Sequence, residues 1–212
     1  MEFDLSQMPA QPTFYLLASN AIQPRPIAWI STVGNDGSTN LAPFSFFTVA
    51  CIAPPVLSVT LTWRRSSTGL SPEKDTLRNL RTNGECVINI VTEPLAVSMN
   101  QTCGDYPPQT SEIDALGITT APSRQVAPPG VVASPVRFEC RLRQLIPLGE
   151  GPGSTHIALL DVLHVHADDA VLSNGMVDPD KLASVGKLGG DGYTTTDNRF
   201  FLPRPIIGQS AA

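Results

Sequence analysis

Apolar and polar positions alternate along most of this chain with the two-residue period of strands, and only short stretches carry the wider spacing of helices. The run Val136-Arg137-Phe138-Glu139-Cys140-Arg141-Leu142-Arg143 alternates strictly, which predicts a strand with one buried face and one wet face. β-Branched and aromatic enrichment predicts strands at 26–33, 39–47, 56–62, 85–91, 136–146 and 155–165. In 26–33 the set Ala28, Ile30, Thr32 opposes Ile27, Trp29, Ser31, Val33, a mixture expected of a strand covered on both sides. Helix signals are shorter. Asp75 caps 76–82 with Gly84 closing it, Pro94 opens 94–100, Ser111 caps 112–116, and Asp178-Pro179 opens a last helix toward Ser184. Many strands at short spacing with few helices predict a mainly β fold, a closed antiparallel β-barrel with short helices, rather than a parallel α/β sheet. The glycine-rich 149–153 lacks the third glycine spacing of a dinucleotide fingerprint and contains Pro152, which argues against a Rossmann domain.

The chain has 212 residues, and a single domain over 1–212 fits that length better than two. Prolines interrupt any period between Gly104 and Pro135, so this stretch is a long excursion and not a linker. The net charge of -5 argues against nucleic acid, which needs a basic face to displace counterions from phosphates. No run approaches the length of a membrane span, and Met1-Glu2-Phe3-Asp4 lacks the basic-then-apolar order of a signal peptide, so the expectation is a cytoplasmic protein without a membrane role. Cys51, Cys86, Cys103 and Cys140 stand far apart and read as reduced thiols, most of them buried, with no metal site.

The chemistry begins at a hairpin. The turn Gly34-Asn35-Asp36-Gly37 joins 26–33 to Asn40-Leu41-Ala42-Pro43-Phe44-Ser45-Phe46-Phe47, a strand that mixes small, polar and aromatic residues around a proline. Pro43 removes a donor, and Ala42 and Ser45 leave little bulk, so the backbone is open to something flat that bonds to main chain. Farther on, Arg64, Arg65, Lys74, Arg78 and Arg81 crowd a segment whose acids are Glu73 and Asp75, among the hydroxyls of Ser66, Ser67, Thr68 and Thr76. Beside a helix start this suits a phosphate monoester, although a solvated loop and helix face gives the same pattern. A ring and a phosphate are the two ends of flavin mononucleotide (FMN), and pyridoxal phosphate is the shorter alternative.

These strings, in this order, resemble the flavin reductase-like FMN-binding family with a split-barrel fold, particularly its flavoredoxin-like branch. The resemblance runs from Arg25-Pro26-Ile27-Ala28-Trp29-Ile30-Ser31-Thr32 through Asn40–Phe47, Pro54-Pro55, Lys74-Asp75-Thr76-Leu77-Arg78-Asn79, Cys86–Val91 and Ser134-Pro135-Val136. It ends at Val185-Gly186-Lys187-Leu188-Gly189-Gly190-Asp191-Gly192-Tyr193 and Arg204-Pro205, and Lys187 stands where the family usually shows arginine. It implies that Asn40, Leu41, Ala42, Pro43, Phe44 and Ser45 line the ring and ribityl chain, with backbone groups of Ala42 and Phe44 as partners. Ser31 and Thr32 then reach the ribityl or phosphate across the hairpin, and Arg64, Ser67, Lys74 and Thr76 hold the phosphate. The segment from Gly186 to Tyr193, with Lys187 and Tyr193, covers the flavin, from its own or from the second subunit of an implied homodimer.

The implied activity is an NAD(P)H-dependent flavin reductase in which NADH or NADPH gives hydride to FMN, with free flavin, a monooxygenase or another acceptor downstream. The alternatives are a flavoredoxin-like electron carrier that does not react with nicotinamide, and a flavin-binding module without turnover. No catalytic triad is visible. His156 resembles a histidine near the open face of the flavin in related reductases and is a substrate-side candidate. His164 and His166 share a strand face and read as ordinary strand residues, and Cys103 is a candidate redox thiol in a loop-like setting.

Overall fold

The computed structural model describes residues 1–7, 10–63, 73–107, 110–149 and 154–205, with the side chains of 10–12 excepted. The chain opens with helix α1 (Ala10–Ala21), then β1 (Arg25–Pro26), β2 (Ala28–Val33), β3 (Thr39–Phe44), β4 (Phe47–Cys51) and β5 (Val56–Thr62). Helix α2 (Asp75–Asn83), β6 (Glu85–Ile90), α3 (Ala96–Gln101) and α4 (Glu112–Ala115) follow. Two short pairs, β7 (Thr120–Ala121) with β8 (Gly130–Val131) and β11 (Leu172–Ser173) with β12 (Met176–Val177), flank the long strands β9 (Val136–Leu148) and β10 (Thr155–Ala167). Helix α5 (Pro179–Leu182), β13 (Gly186–Lys187) and β14 (Tyr193–Thr194) complete the described elements.

The main sheet has seven antiparallel strands in the order β3-β2-β6-β9-β10-β5-β4. Its two end strands are consecutive in sequence, joined only by Ser45 and Phe46. Two strands so connected cannot lie far apart, so the sheet must curl until its edges meet. The Thr60 amide donates to the Phe46 carbonyl (2.8 Å) at that closure. β3 and β4 share no ladder, which leaves the barrel split along one seam. The expected strand 39–47 is thus two strands with a bend at Ser45-Phe46.

Inside the barrel, Ala28, Ile30, Val59, Leu61, Ile88 and Leu160 are fully buried. Helix α2 plugs one end with Leu77 and Leu80 while Arg78 and Arg81 face out, and burial of each leucine contributes about 1.5–3 kcal/mol. Gly84 ends that helix in the left-handed region (φ 69°), its amide donating to the Leu80 carbonyl at 3.0 Å. A second core, built on Trp29, Leu41, Met99 and Val185, fills the outer side of β2 and β3. Here α3, α4 and the β13–β14 hairpin cover the sheet, so β2 is buried on both faces as its sequence implies.

The face of β9 expected to be wet is not uniformly so. Glu139 is buried, and its carboxylate accepts the amides of Arg124 (3.0 Å) and Gln125 (2.6 Å). Glu85 accepts the Ala127 amide (2.9 Å), Asn89 accepts the Val131 amide (2.8 Å), and Ser31 Oγ donates to the Pro129 carbonyl (2.5 Å). The proline-rich excursion supplies few ladder bonds of its own, and these strand side chains pin its backbone to the sheet. The cysteines are free: Cys86 and Cys140 are buried and directly opposed, whereas Cys51 and Cys103 are exposed, so half of them and not most are core residues.

Candidate functional site

The β2–β3 hairpin turns where Asp36-Gly37 predicts. The Gly34 amide donates to the Ser38 carbonyl (2.8 Å), Gly37 takes φ 81°, and the Asp36 carboxylate accepts both the Ser38 amide (3.0 Å) and hydroxyl (2.6 Å). Those bonds hold the Asp36 carboxyl below the usual carboxylate range. The turn sets the register Ile30↔Ala42 and Ser31↔Leu41.

Register decides which backbone groups are available. The Leu41 amide points away from β2, to the buried Glu112 carboxylate at 2.9 Å. By antiparallel alternation, Leu41, Pro43 and Ser45 face outward along the free edge, while Ala42 and Phe44 turn their amides and carbonyls into the β2 ladder. The open main-chain positions are therefore one residue out of step with the Ala42 and Phe44 pair expected from sequence. Pro43 leaves a carbonyl without a competing donor on this edge.

Beside that edge lies a cavity of about 90 Å³. Pro43, Phe44 and Ser45 form one wall, and Ile27 and Met99 the apolar floor. Cys103, at the end of α3, and Lys187 and Tyr193, from the β13–β14 hairpin, form the other wall. The hairpin is tied down on several sides. Lys187 lies over the Tyr193 ring (4.4 Å) and donates to the carbonyls of Gly190 and Gly192, while the Tyr193 hydroxyl donates to Asn100 Oδ1 (3.0 Å). The buried Arg25 clamps it to α1, donating to the carbonyls of Ser19 (2.6 Å), Ile22 (3.0 Å) and Leu188 (2.9 Å) and, through Nε, to Ser45 Oγ (3.3 Å). Gly189 packs so closely on Asn20 that a Cβ there would sit 1.8 Å from its side-chain oxygen, so a larger residue requires the Asn20 side chain to swing aside.

The cavity's electrostatics follow from this packing. Burial lowers the Lys187 pKa, the nearby Arg25 adds to that, and Asp191 opposes it. Burial pushes the Cys103 thiol up against the pull of Lys74 and Lys187. Burial also raises the Tyr193 phenol, with Cys103 and Asp191 adding to it. Among the described residues, no carboxylate lines the cavity.

The start of α2 stands next to this wall, with the Lys74 ammonium 5.1 Å from the centre of the Phe44 ring. Lys74, not Asp75, is the residue preceding the helix, and Asp75 pairs instead with Arg78 (2.5 Å). Arg81 pairs with Glu73 (2.5 Å), so two of the clustered cations are neutralised locally. Arg64 and Ser67 lie outside the described residues. Thr76 is buried, and its hydroxyl oxygen accepts from Asn40 Nδ2 (2.9 Å), which turns its hydrogen toward other acceptors. Thr32 Oγ1 accepts from Asn79 Nδ2 (3.0 Å) and Asn40 Nδ2 (3.4 Å).

Ser31 and Thr32 are both fully buried and bonded within the fold, so they support the hairpin and do not reach into the cavity. The side chain of Leu41 belongs to the outer core, and Ala42 packs against the barrel core. His156 stands on β10 opposite Leu61 and Pro147, outside the cavity walls. His164 and His166 lie 3.1 Å from Glu139 and from Asp168 respectively, and no group of three or more metal ligands exists among the described residues. Two cavity residues were missed by sequence reasoning, Ile27 and Met99, since both read as ordinary core positions. Arg25 was quoted only as part of a motif. A family of flavin-binding proteins is a fit for this arrangement: an apolar slot beside open main chain suits a ring, and a helix start with Lys74 and an oriented Thr76 hydroxyl suits a phosphate.

Comparison with known proteins agrees. The model of the flavin reductase like domain matches residues 21–183. An uncharacterized protein of Deinococcus radiodurans is 38% identical over 216 residues, spanning 98% of this chain and 91% of its own. The crystal structure of nitrilotriacetate monooxygenase component B from Bacillus cereus superposes with a TM-score of 0.87 at 28% identity, covering 95% of this chain and 98% of that one. A Shewanella frigidimarina structure described as having a split barrel domain shares the fold, with a TM-score of 0.78 at 23% identity over 97% of this chain and 100% of its own.

Proposed function

Because this chain belongs to the flavin reductase-like family, with a split-barrel fold and a flavin-related oxidoreductase role, we propose that its flavin is FMN and that NADH or NADPH reduces it. The observation that carries this reading is adjacency: the cavity at the β3 edge and the cationic start of α2 meet at Lys74 and Phe44. The ring lies in the cavity against the outward edge of Pro43 and Ser45, between Phe44 and the Lys187–Tyr193 wall. The phosphate sits at the start of α2, held by Lys74 and the Thr76 hydroxyl that Asn40 orients, with Arg64 and Ser67 as further contacts from sequence.

A bound flavin supplies two-electron chemistry, and the protein's part is to place the ring, exclude water and set the local charge. Ile27 and Met99 give the ring an apolar floor, and the Arg25 clamp keeps the β13–β14 wall in place. Similarity to a monooxygenase component supports a monooxygenase as the downstream acceptor. A homodimer is supported by β4, an edge strand with Val49 57% exposed and the adjoining Ile52 81% exposed, a surface suited to a second copy. Sedimentation of the purified protein tests that point.

FMN is expected to bind at micromolar protein with quenching of its fluorescence, and anaerobic NADH or NADPH is expected to bleach the bound flavin. Absence of FMN binding overturns the reading of the site. Binding without bleaching by either nucleotide overturns the nicotinamide step alone.

A further inference from the structure

Lys187 belongs to a cavity wall in which no carboxylate is found among the described lining residues; the nearest acid acting on it, Asp191, lies on its own hairpin outside that lining. Two of its three hydrogens go to the backbone carbonyls of Gly190 and Gly192, and it forms no ion pair among the described residues. The charged and titratable groups around it come from every neighbouring element. Arg25 pairs with it across β1 and β13 and repels it, Cys103 faces it from the end of α3, and Asp191 and Tyr193 belong to its own hairpin. Lys74 adds a second cation that acts on the same Cys103 thiol. Arg25 offers no relief, because its guanidinium is occupied by carbonyls. A partly desolvated cation beside a like charge is costly unless an anion arrives to share the space.

We propose that Lys187 sets the redox preference of the flavin ring in this cavity, favouring the reduced, negatively charged ring over the neutral oxidised one; this rests on the FMN reading above. The balance is simple. The oxidised ring takes up two electrons and one proton, the content of one hydride from a nicotinamide, and becomes a monoanion. That negative charge is absent from the oxidised ring, so a cation beside it binds the two forms unequally, and unequal binding is what moves a potential. Lys187 acts here as a charge in the wall of the site, and no proton leaves it.

The test is the midpoint potential of the FMN-loaded protein, measured against a reference dye in wild type, Lys187→Met and Lys187→Arg, together with the dissociation constants of oxidised and reduced FMN. Lys187→Met is expected to cut the preference for reduced FMN about tenfold, which lowers the two-electron potential by about 30 mV. Lys187→Arg keeps the charge and stays within about twofold of wild type. A role limited to packing the hairpin would weaken both forms equally and leave the potential unmoved, and that outcome overturns the proposal. So does a variant that alters only the KM of a carboxylate-bearing acceptor, since the ammonium would then serve a second ligand.

Should Lys187→Met fold poorly, the wild-type potential followed against pH answers alone. The break between two-proton and one-proton behaviour is expected below that of free FMN, because the cavity holds the reduced ring as an anion to lower pH, and a break at or above the free value overturns the proposal. Wild type that binds no FMN would instead bring down the FMN reading itself.

Discussion

Replacing Arg25 with methionine removes the clamp between α1, the β3 edge and the β13–β14 hairpin. Three bonds to backbone carbonyls are lost, to Ser19, Ile22 and Leu188, together with the longer one to Ser45. Hydrogen bonds from a charged donor contribute about 1.5–3 kcal/mol each, so the three carbonyl bonds are worth roughly 4.5–9 kcal/mol before desolvation. Arg25 is only 6% exposed, and taking a guanidinium out of water costs several kcal/mol, which offsets much of that gain. Methionine also keeps part of the apolar stem contact. The expected net loss is about 3 kcal/mol, roughly a 150-fold fall in the folding equilibrium constant. Lysine keeps the charge but not the fork, and cannot reach carbonyls on both sides, so Arg25→Lys should lose about 1–2 kcal/mol. Urea denaturation followed by tryptophan fluorescence measures both, with Trp29 fully buried as the reporter. A change below about 0.5 kcal/mol for Arg25→Met, or Arg25→Lys matching wild type, would refute the account of the clamp.

Lys74→Ala should weaken FMN about tenfold or more and riboflavin little, because only FMN carries the phosphate; parallel fluorescence titrations decide, and equal losses remove Lys74 from the phosphate end. Cys103, exposed as a residue but with a partly desolvated thiol whose pKa is raised, should react with iodoacetamide more slowly than a fully solvated thiol, and FMN should protect it while leaving Cys51 unprotected in peptide mass mapping. Equal protection of both thiols would move the ring out of the cavity. Asp36, held ionised by Ser38, contributes stability above the ordinary carboxyl pKa near 4 that disappears as pH falls through its lower folded value; Asp36→Asn should flatten that acid limb in denaturation midpoints.

The barrel and the hairpin were legible because they rest on local signals. Asp36-Gly37 fixes the turn, the turn fixes the register, and period-two alternation in β9 and β10 does the rest. The bend at Ser45-Phe46 was not legible, since Phe44, Phe46 and Phe47 continue the apolar pattern straight across it. Helix α1 was missed for a similar reason. Phe14, Tyr15, Leu16 and Leu17 form a contiguous apolar block and not a helical stripe, and the first three stay exposed. What holds the helix end is Arg25, whose bonds to Ser19 and Ile22 are tertiary.

The site divides the same way. Lys74, Thr76, Asn40, Pro43 and Ser45 stood out as candidates because hairpin chemistry and clustered charge are visible in sequence, and the fold brings the hairpin and the start of α2 next to each other. Ser31 and Thr32 were placed correctly on the hairpin, but alternation says only that they face opposite sides, not that both sides are filled by protein. Arg25 was undervalued because arginine is seldom fully buried, and its worth depends on carbonyls at distant positions.

Arg25 and the Leu188 carbonyl it holds are 163 residues apart along the chain. The cavity's two walls are correspondingly made well apart in the order of synthesis, the β3 edge before the β13–β14 hairpin. A ribosome that has released the barrel strands has still not released Lys187 and Tyr193, so a nascent chain presents the β3 edge long before it can enclose anything against it. The cavity therefore cannot close until the β13–β14 hairpin has emerged and Arg25 has bound the Leu188 carbonyl.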